Sequence, residues 1–313
     1  MRSLEAEYRQ LHADGLLDDA ALARAVALDR REAWSIHLEL RLVTWIAVLC
    51  VTGGVGWLLA RNLDRLGPAT IVLGLLAAAT ACALPAIRAR FGDRAPGTVV
   101  EYALLLGALL ASAALAYAET QFRLLGPLWT WHLLLLAALH GTIAHALRSP
   151  LVLAAALTAL AGWFGMTAPF GMPFGSGRSG FELGAAAIAC AVVIVGWRTA
   201  TIRLQPAAGF TETFDQFAAN LAFWGALAWC VRGGWFMLPG VALLAAFATL
   251  ALRRGLAHRR ESYVVYAVVY SALGACVVLG GFALFGPLPL LAIVLGAAYV
   301  LWHLHGRIRD GTR

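Results

Sequence analysis

Five polar residues sit just beyond or just inside the ends of apolar runs, on the side that the charge pattern makes the outer one. They are Asn62 and Asp64 after the first run, Glu119 and Gln121 after the third, and His132 at the opening of the fourth. Carboxylates, amides and an imidazole at one depth are the groups that bind a lipid headgroup, a sugar or a cation, and a carboxylate with a histidine can work as an acid/base pair. Trp129 and Glu182 fall at the same level. A solvated collar of helix ends, with tryptophan in the interfacial belt, accounts for the same residue types.

Ionisable groups inside an apolar run are the second source of chemistry, because charge in hydrocarbon is costly unless it is paired or reaches water. His140 stands near the centre of the fourth run with Thr142 close by. It reads either as the donor of one helix-to-helix hydrogen bond or as a proton relay or ligand contact. His132 and His145 lie about 80° and 140° away around a 3.6-residue helix, so a metal site made by the three histidines alone is not expected. Glu101 near the start of the third run, and Asp215 with Gln216 and Asn220 at the start of the seventh, share the cytoplasmic level. They either complement the dipoles of helix N-termini or line a polar vestibule on that side.

Other chemistry is not signalled. There is no GxSxG, HExxH, Walker A, GxGxxG or paired DxD motif, so no catalytic residue is assigned, an enzyme is not the favoured reading and no cofactor is implied. Cys50, Cys82, Cys190, Cys230 and Cys276 are isolated from one another, without ligand spacing, and read as small buried hydrophobes. Gly53, Gly54 and Gly56, and Gly280 and Gly281, lie inside apolar runs, where glycine suits close helix packing better than phosphate binding.

The elements that must position these groups are membrane helices. Of 313 residues 61% are hydrophobic and 13% charged, with mean hydropathy +0.77, whereas a soluble domain carries about 25% charged residues. Apolar runs recur at residues 42–60, 69–87, 98–118, 128–147, 151–168, 181–197, 214–231, 235–252, 263–282 and 288–303. A run of about 20 residues crosses about 30 Å of hydrocarbon, so the chain is expected to be an all-α, polytopic bundle of about ten spans. All 24 basic residues are arginine, and with the N-terminus inside, 19 fall in cytoplasmic segments and five outside. That asymmetry puts both termini in the cytoplasm. The net charge of +7 and pI near 9.6 come from arginines scattered between runs, so nucleic acid is not an expected partner.

Residues 1–41 carry eight acids and six arginines and no apolar leader segment. Leu4, Tyr8 and Leu11 mark a helical face ending near Gly15, and Asp18 or Asp19 caps a second helix. The expected organisation is a cytoplasmic helical hairpin over 1–41 and a transmembrane bundle over 42–313. Tyr102-Ala103 with Gly107 and Leu125-Gly126-Pro127-Leu128 is echoed by Tyr266-Ala267 with Ser271 and Phe285-Gly286-Pro287-Leu288. This suggests a parallel repeat of spans one to four in spans seven to ten.

The chain also resembles a family of bacterial predicted membrane proteins, domain of unknown function 2157. The resemblance is carried by Gly15-Leu16-Leu17-Asp18, by Leu59-Ala60-Arg61-Asn62-Leu63-Asp64 and by Gln121-Phe122-Arg123-Leu124. In that family the second stretch reads Ala-x-Asn-Trp-Asp and the third has a Gly-Gln pair shortly before an aromatic residue; here Leu63 replaces Trp and Thr120 replaces Gly. The resemblance implies no activity, but it points to Asn62, Asp64 and Gln121. The expectation is an inner-membrane protein with a transport-like or lipid- and envelope-handling role and a polar site on the outer side. The alternative is a scaffold or accessory subunit that docks a protein partner through its N-terminal hairpin.

Overall fold

In the computed structural model the described residues are 8, 11–15, 18–29, 37–62, 67–91, 97–123, 126, 131–165, 180–202, 208–258, 260–280 and 288–310. Among them the regular elements are helices: α1 Asp19–Asp29, α2 His37–Asn62, α3 Pro68–Phe91, α4 Thr98–Phe122, α5 His132–Leu147, α6 Pro150–Trp163, α7 Gly180–Ile202, α8 Ala208–Arg232, α9 Met237–His258, α10 Glu261–Gly280 and α11 Leu288–Asp310. Each apolar run coincides with one helix from α2 to α11. This is the secondary structure lipid demands, since an apolar solvent leaves every backbone polar group to be satisfied within its own segment.

Among the described residues, five helical stretches are long and apolar enough to cross a membrane: Pro68–Arg90, Thr98–Phe122, Phe181–Thr201, Gly234–Ala257 and Glu261–Leu279. The apolar parts of α2, α5, α6 and α11 are shorter, and α8 carries Glu212, Asp215, Gln216 and Asn220 in its first half. The faces left bare are those of a protein in lipid. Trp235 is 90% and Trp302 73% exposed, in company with Leu73, Val192, Leu291 and Leu295.

α6 differs most from expectation. Its 14 residues make about 21 Å of helix, short of the roughly 30 Å hydrocarbon core. Arg148 in the left-handed region closes α5, Ser149 accepts a hydrogen bond from the Val152 N–H, and Pro150 starts α6, so the chain reverses within three residues. Val152, Leu153, Ala156 and Leu157 are then wholly buried, and Val152, Leu153 and Leu157 form one cluster with residues of α3, α4, α5, α7 and α8. A helix enclosed by others need not reach both membrane faces.

Around α6 the closest pairings are α7 with α8, α3 with α4 and α5 with α6, followed by α9 with α10 and α8 with α9. Small residues set the closest approaches, as expected where helices meet without a hydrophobic driving force. A Cβ on Gly225 of α8 would lie 2.7 Å from the Gly184 carbonyl oxygen of α7, and one on Gly184 would lie 2.8 Å from that of Gly225. Of the glycines singled out in the sequence, Gly53 and Gly54 do not do this: both are exposed and a Cβ on either meets nothing within 4 Å.

Asp18 caps α1, its carboxylate accepting from the Ala21 N–H and its carbonyl from the Leu22 N–H. Gly15 ends the preceding turn with φ +72°. Leu4 lies outside the described residues.

Candidate functional site

The outer polar residues are placed individually. Asn62 is the last residue of α2, and Asp64 lies outside the described residues. Glu119 is buried near the end of α4, and its Oε1 accepts the Gly126 N–H at 2.9 Å, while its main-chain oxygen accepts the Arg123 N–H at 2.8 Å. Arg123 and Gly126 both have positive φ, and the carboxylate ties Gly126 back to the end of α4. Gln121 is exposed and His132, the first residue of α5, is half-buried.

His140 is where the sequence puts it, in the middle of α5 and 2% exposed. Its Nε2 lies 2.7 Å from Ser112 Oγ on α4, and the Ser112 hydroxyl donates to the Ala108 carbonyl at 2.9 Å. One hydroxyl has one proton, so with that donation made, Nε2 must be the protonated nitrogen. Nδ1 is buried without a partner among the described residues. His145 instead joins an aromatic group, 5.3 Å from Phe210 and 6.1 Å from Trp197 between ring centroids. Glu101 lies in the first turn of α4, half-buried.

Asp215 was expected at the start of its helix, but α8 begins at Ala208, two turns earlier, so helix-end stabilisation is not its role. Arg198 near the end of α7 donates from Nη2 to Asp215 Oδ2 at 3.1 Å, with Nε 2.7 Å from Oδ1. The pair is an ion pair with one hydrogen bond, through Nη2; Nε is close to Oδ1 but is not hydrogen-bonded to it. One turn earlier on α8, Glu212 lies 3.9 Å from Arg260 Nη1 and accepts from Gln216 Nε2 at 3.2 Å. Deeper along the same face, Asn220 donates to the Gln216 carbonyl at 2.9 Å and accepts from the Tyr270 hydroxyl at 2.8 Å. The polar stripe of α8 is therefore spent on neighbours in α7 and α10.

These residues frame two adjoining spaces. A polar vestibule of about 410 Å³ is lined by Arg198, Thr211, Asp215, Arg254, Arg260 and Tyr263. An apolar cleft of about 330 Å³ runs between α7, α8, α9 and α10, walled by residues such as Val192, Val195, Ala222, Phe247 and Leu250. Asp215, Arg254 and Tyr263 line both, so the cleft and the vestibule adjoin at these three residues. Arg198 and Arg260 face Asp215 and Glu212, whereas Arg254 has no ion pair or hydrogen bond among the described residues. Among the described residues here, three arginines against two carboxylates leave the mouth positive. Arg198 and Arg254 entered the sequence reading only as loop charge. The available signal was that Arg198 and Asp215 close one apolar run and open the next.

Apolar helices with bare lipid-facing sides define a helical integral membrane protein. Residues 9–153, from before α1 to the first turn of α6, match the model of a predicted membrane protein family, domain of unknown function 2157, and the resemblance carried by Asp18, Asn62 and Gln121 holds over that stretch. No curated protein and no solved structure matches the chain. The vestibule and cleft, on α7 to α10, lie beyond the matched residues.

Proposed function

We propose that this is a multi-pass protein of the bacterial inner membrane with a lipid-handling, transport-like role, binding an anionic amphiphile between α7, α8, α9 and α10. The observation that carries this reading is the shared lining of vestibule and cleft by Asp215, Arg254 and Tyr263. An apolar slot with a positive mouth matches a molecule with an acyl tail and a phosphate or carboxylate head. The tail replaces lipid contacts at little cost, and the unpaired Arg254 supplies the counter-charge. This site is favoured over the outer group because Glu119 is already engaged by a turn.

Arginine distribution supports ten spans with both ends and the vestibule on the cytoplasmic side. The packing of α3 on α4 and of α2 on α4, matched by α9 on α10 and α8 on α10, supports a parallel repeat over three helices; the fourth departs from it, since α11 packs extensively on α10 but α5 does not on α4, and α8 packs on α9 more extensively than α2 does on α3. The scaffold alternative rests on α1, a capped helix without extensive packing on the bundle.

The test is photo-crosslinking in vesicles containing phosphatidylglycerol with a diazirine in its acyl chain. Label should concentrate on peptides of α7–α10, and Arg254→Gln should reduce it severalfold. Uniform labelling of all lipid-facing helices, unchanged by Arg254→Gln, would remove the reading.

A further inference from the structure

Arg253 precedes Arg254, and on an α-helix consecutive side chains diverge by about 100°. The two therefore leave α9 on different sides. Arg254 faces the cleft toward α7 and α8, while Arg253 lines a separate cleft of about 580 Å³ between α9, α10 and α11. The walls of this second cleft are largely apolar, including Leu252, Leu256, Ile293, Val300 and Leu304. Its other polar lining residues are neutral: Thr249, whose hydroxyl already donates to the Ala245 carbonyl at 2.8 Å, and Ser271. Arg253 has no ion pair or hydrogen bond among the described residues. α11 packs extensively on α10 but not on α9, and a Cβ on Gly296, which faces this space, meets nothing within 4 Å.

Two physical arguments choose the occupant. An apolar gap holds water poorly, and left empty it forfeits the dispersion contacts of its walls, so in a membrane an acyl chain fills it. The one charge among the described lining residues, Arg253, is one residue from Arg254 and so at about the same depth, and it selects a chain that carries a negative head. We infer that the α9–α10–α11 cleft is a second lipid site, holding one anionic phospholipid whose tail wedges α11 against the bundle and whose phosphate is met by Arg253. It is separate from the α7–α10 site and stands or falls independently of it.

Native mass spectrometry of the purified full-length protein, titrated with phosphatidylglycerol or with phosphatidylcholine, tests this. The wild type should retain two phosphatidylglycerol molecules and bind phosphatidylcholine more weakly. Arg253→Gln should weaken one of the two by about fivefold, the effect of one arginine near an anionic headgroup, and Arg253→Lys should restore most of it. Ala297→Phe, which fills the cleft without touching charge, should remove the same adduct. The adduct that survives in both variants should be the one sensitive to Arg254→Gln. Two full-strength adducts in both Arg253→Gln and Ala297→Phe would overturn this inference and leave the first site intact. Loss of response to Arg254→Gln alone would remove the first site and leave this one.

Discussion

Asp215 and Arg254 line the same space yet have opposite dependencies. Asp215 is 14% exposed and held by Arg198, so removing its charge leaves a half-buried guanidinium without its partner, a change that costs up to about 3–5 kcal/mol where burial is complete and less here. Arg254 is exposed and unpaired among the described residues, and surface changes away from such pairs stay within about 0.5 kcal/mol. Asp215→Asn should therefore lower the unfolding temperature in detergent, and Arg254→Gln should leave it unchanged while lowering lipid retention. A thermal scan of both variants separates the two roles, and an equal loss of stability in each would show that Arg254 also holds the fold. The Ser112–His140 pair makes a different statement. Ser112→Ala removes the acceptor of the His140 Nε2–H inside the core, and interhelical hydrogen bonds in membranes are worth about 0.6 kcal/mol, at most about 1.7. Removing both partners with His140→Leu should cost less than the sum of the single changes, because no orphaned donor remains. Additivity in that cycle would show that the bond contributes nothing. His140 was legible in the sequence as the imidazole nearest the centre of an apolar run. Ser112 was not, since a helical serine ordinarily bonds its own backbone, and nothing in the spacing says which helix it faces.

The glycines show what a helix sequence reveals of its contacts and what it hides. Gly225 and Gly184 bring α8 and α7 into backbone contact, so a methyl group at Gly225 meets a carbonyl that cannot rotate away. Gly225→Ala should destabilise the protein by about 1–3 kcal/mol, the usual cost of overpacking. Gly53→Ala adds its methyl to open space and gains helix propensity, so it should be neutral or stabilising. Chemical unfolding in detergent of the two variants checks the contrast, and equal effects would mean that the α7–α8 approach is looser than the backbone distances require. The sequence pointed to Gly53 and Gly54 for packing, and the physical reason it misled is that these helices are apolar on every side. Without a polar face there is no periodic mark for the side that meets protein and the side that meets lipid. Helix existence was legible throughout, from the runs alone. The break between α5 and α6 was legible too, through Arg148-Ser149-Pro150, but the early end of α6 at Trp163 was not, because Phe164 and its neighbours remain apolar.

As a whole, the chain is two groups of helices joined across α6: α2 to α5 before it, within the stretch that matches the family, and α7 to α11 after it. The largest core cluster contains residues of both groups around α6, so the family-like half does not end at a seam. Which helices would be neighbours was beyond the sequence, because Ala, Leu and Gly recur in every run; the vestibule on α7 to α10 could be named only once Arg198, Asp215, Glu212, Arg254 and Arg260 were seen together. That gathering bears on the topology. The arginine rule assigns Arg198, Arg254 and Arg260 to the same membrane face by counting α8 and α9 as two complete crossings, and an error of one crossing between Arg198 and Arg254 would have put them at opposite ends of the bundle. Their convergence on one vestibule supports the count through this part of the chain, while the side of the membrane is a separate matter, decided by the excess of arginine. It can be measured with single cysteines at Ser262, beside the vestibule, and at Gln121, at the far end of α4, in a background where the five native cysteines are replaced by alanine or serine. Both positions open α10 or close α4 and are not buried, so both should react when water reaches them. In intact spheroplasts an impermeant maleimide should label Gln121→Cys and leave Ser262→Cys unlabelled until the membrane is opened. The reverse pattern would turn the protein over and place the vestibule at the outer leaflet. Labelling of both from outside would mean that the crossings between α4 and α10 are miscounted, and the ten-span arrangement would fall with them.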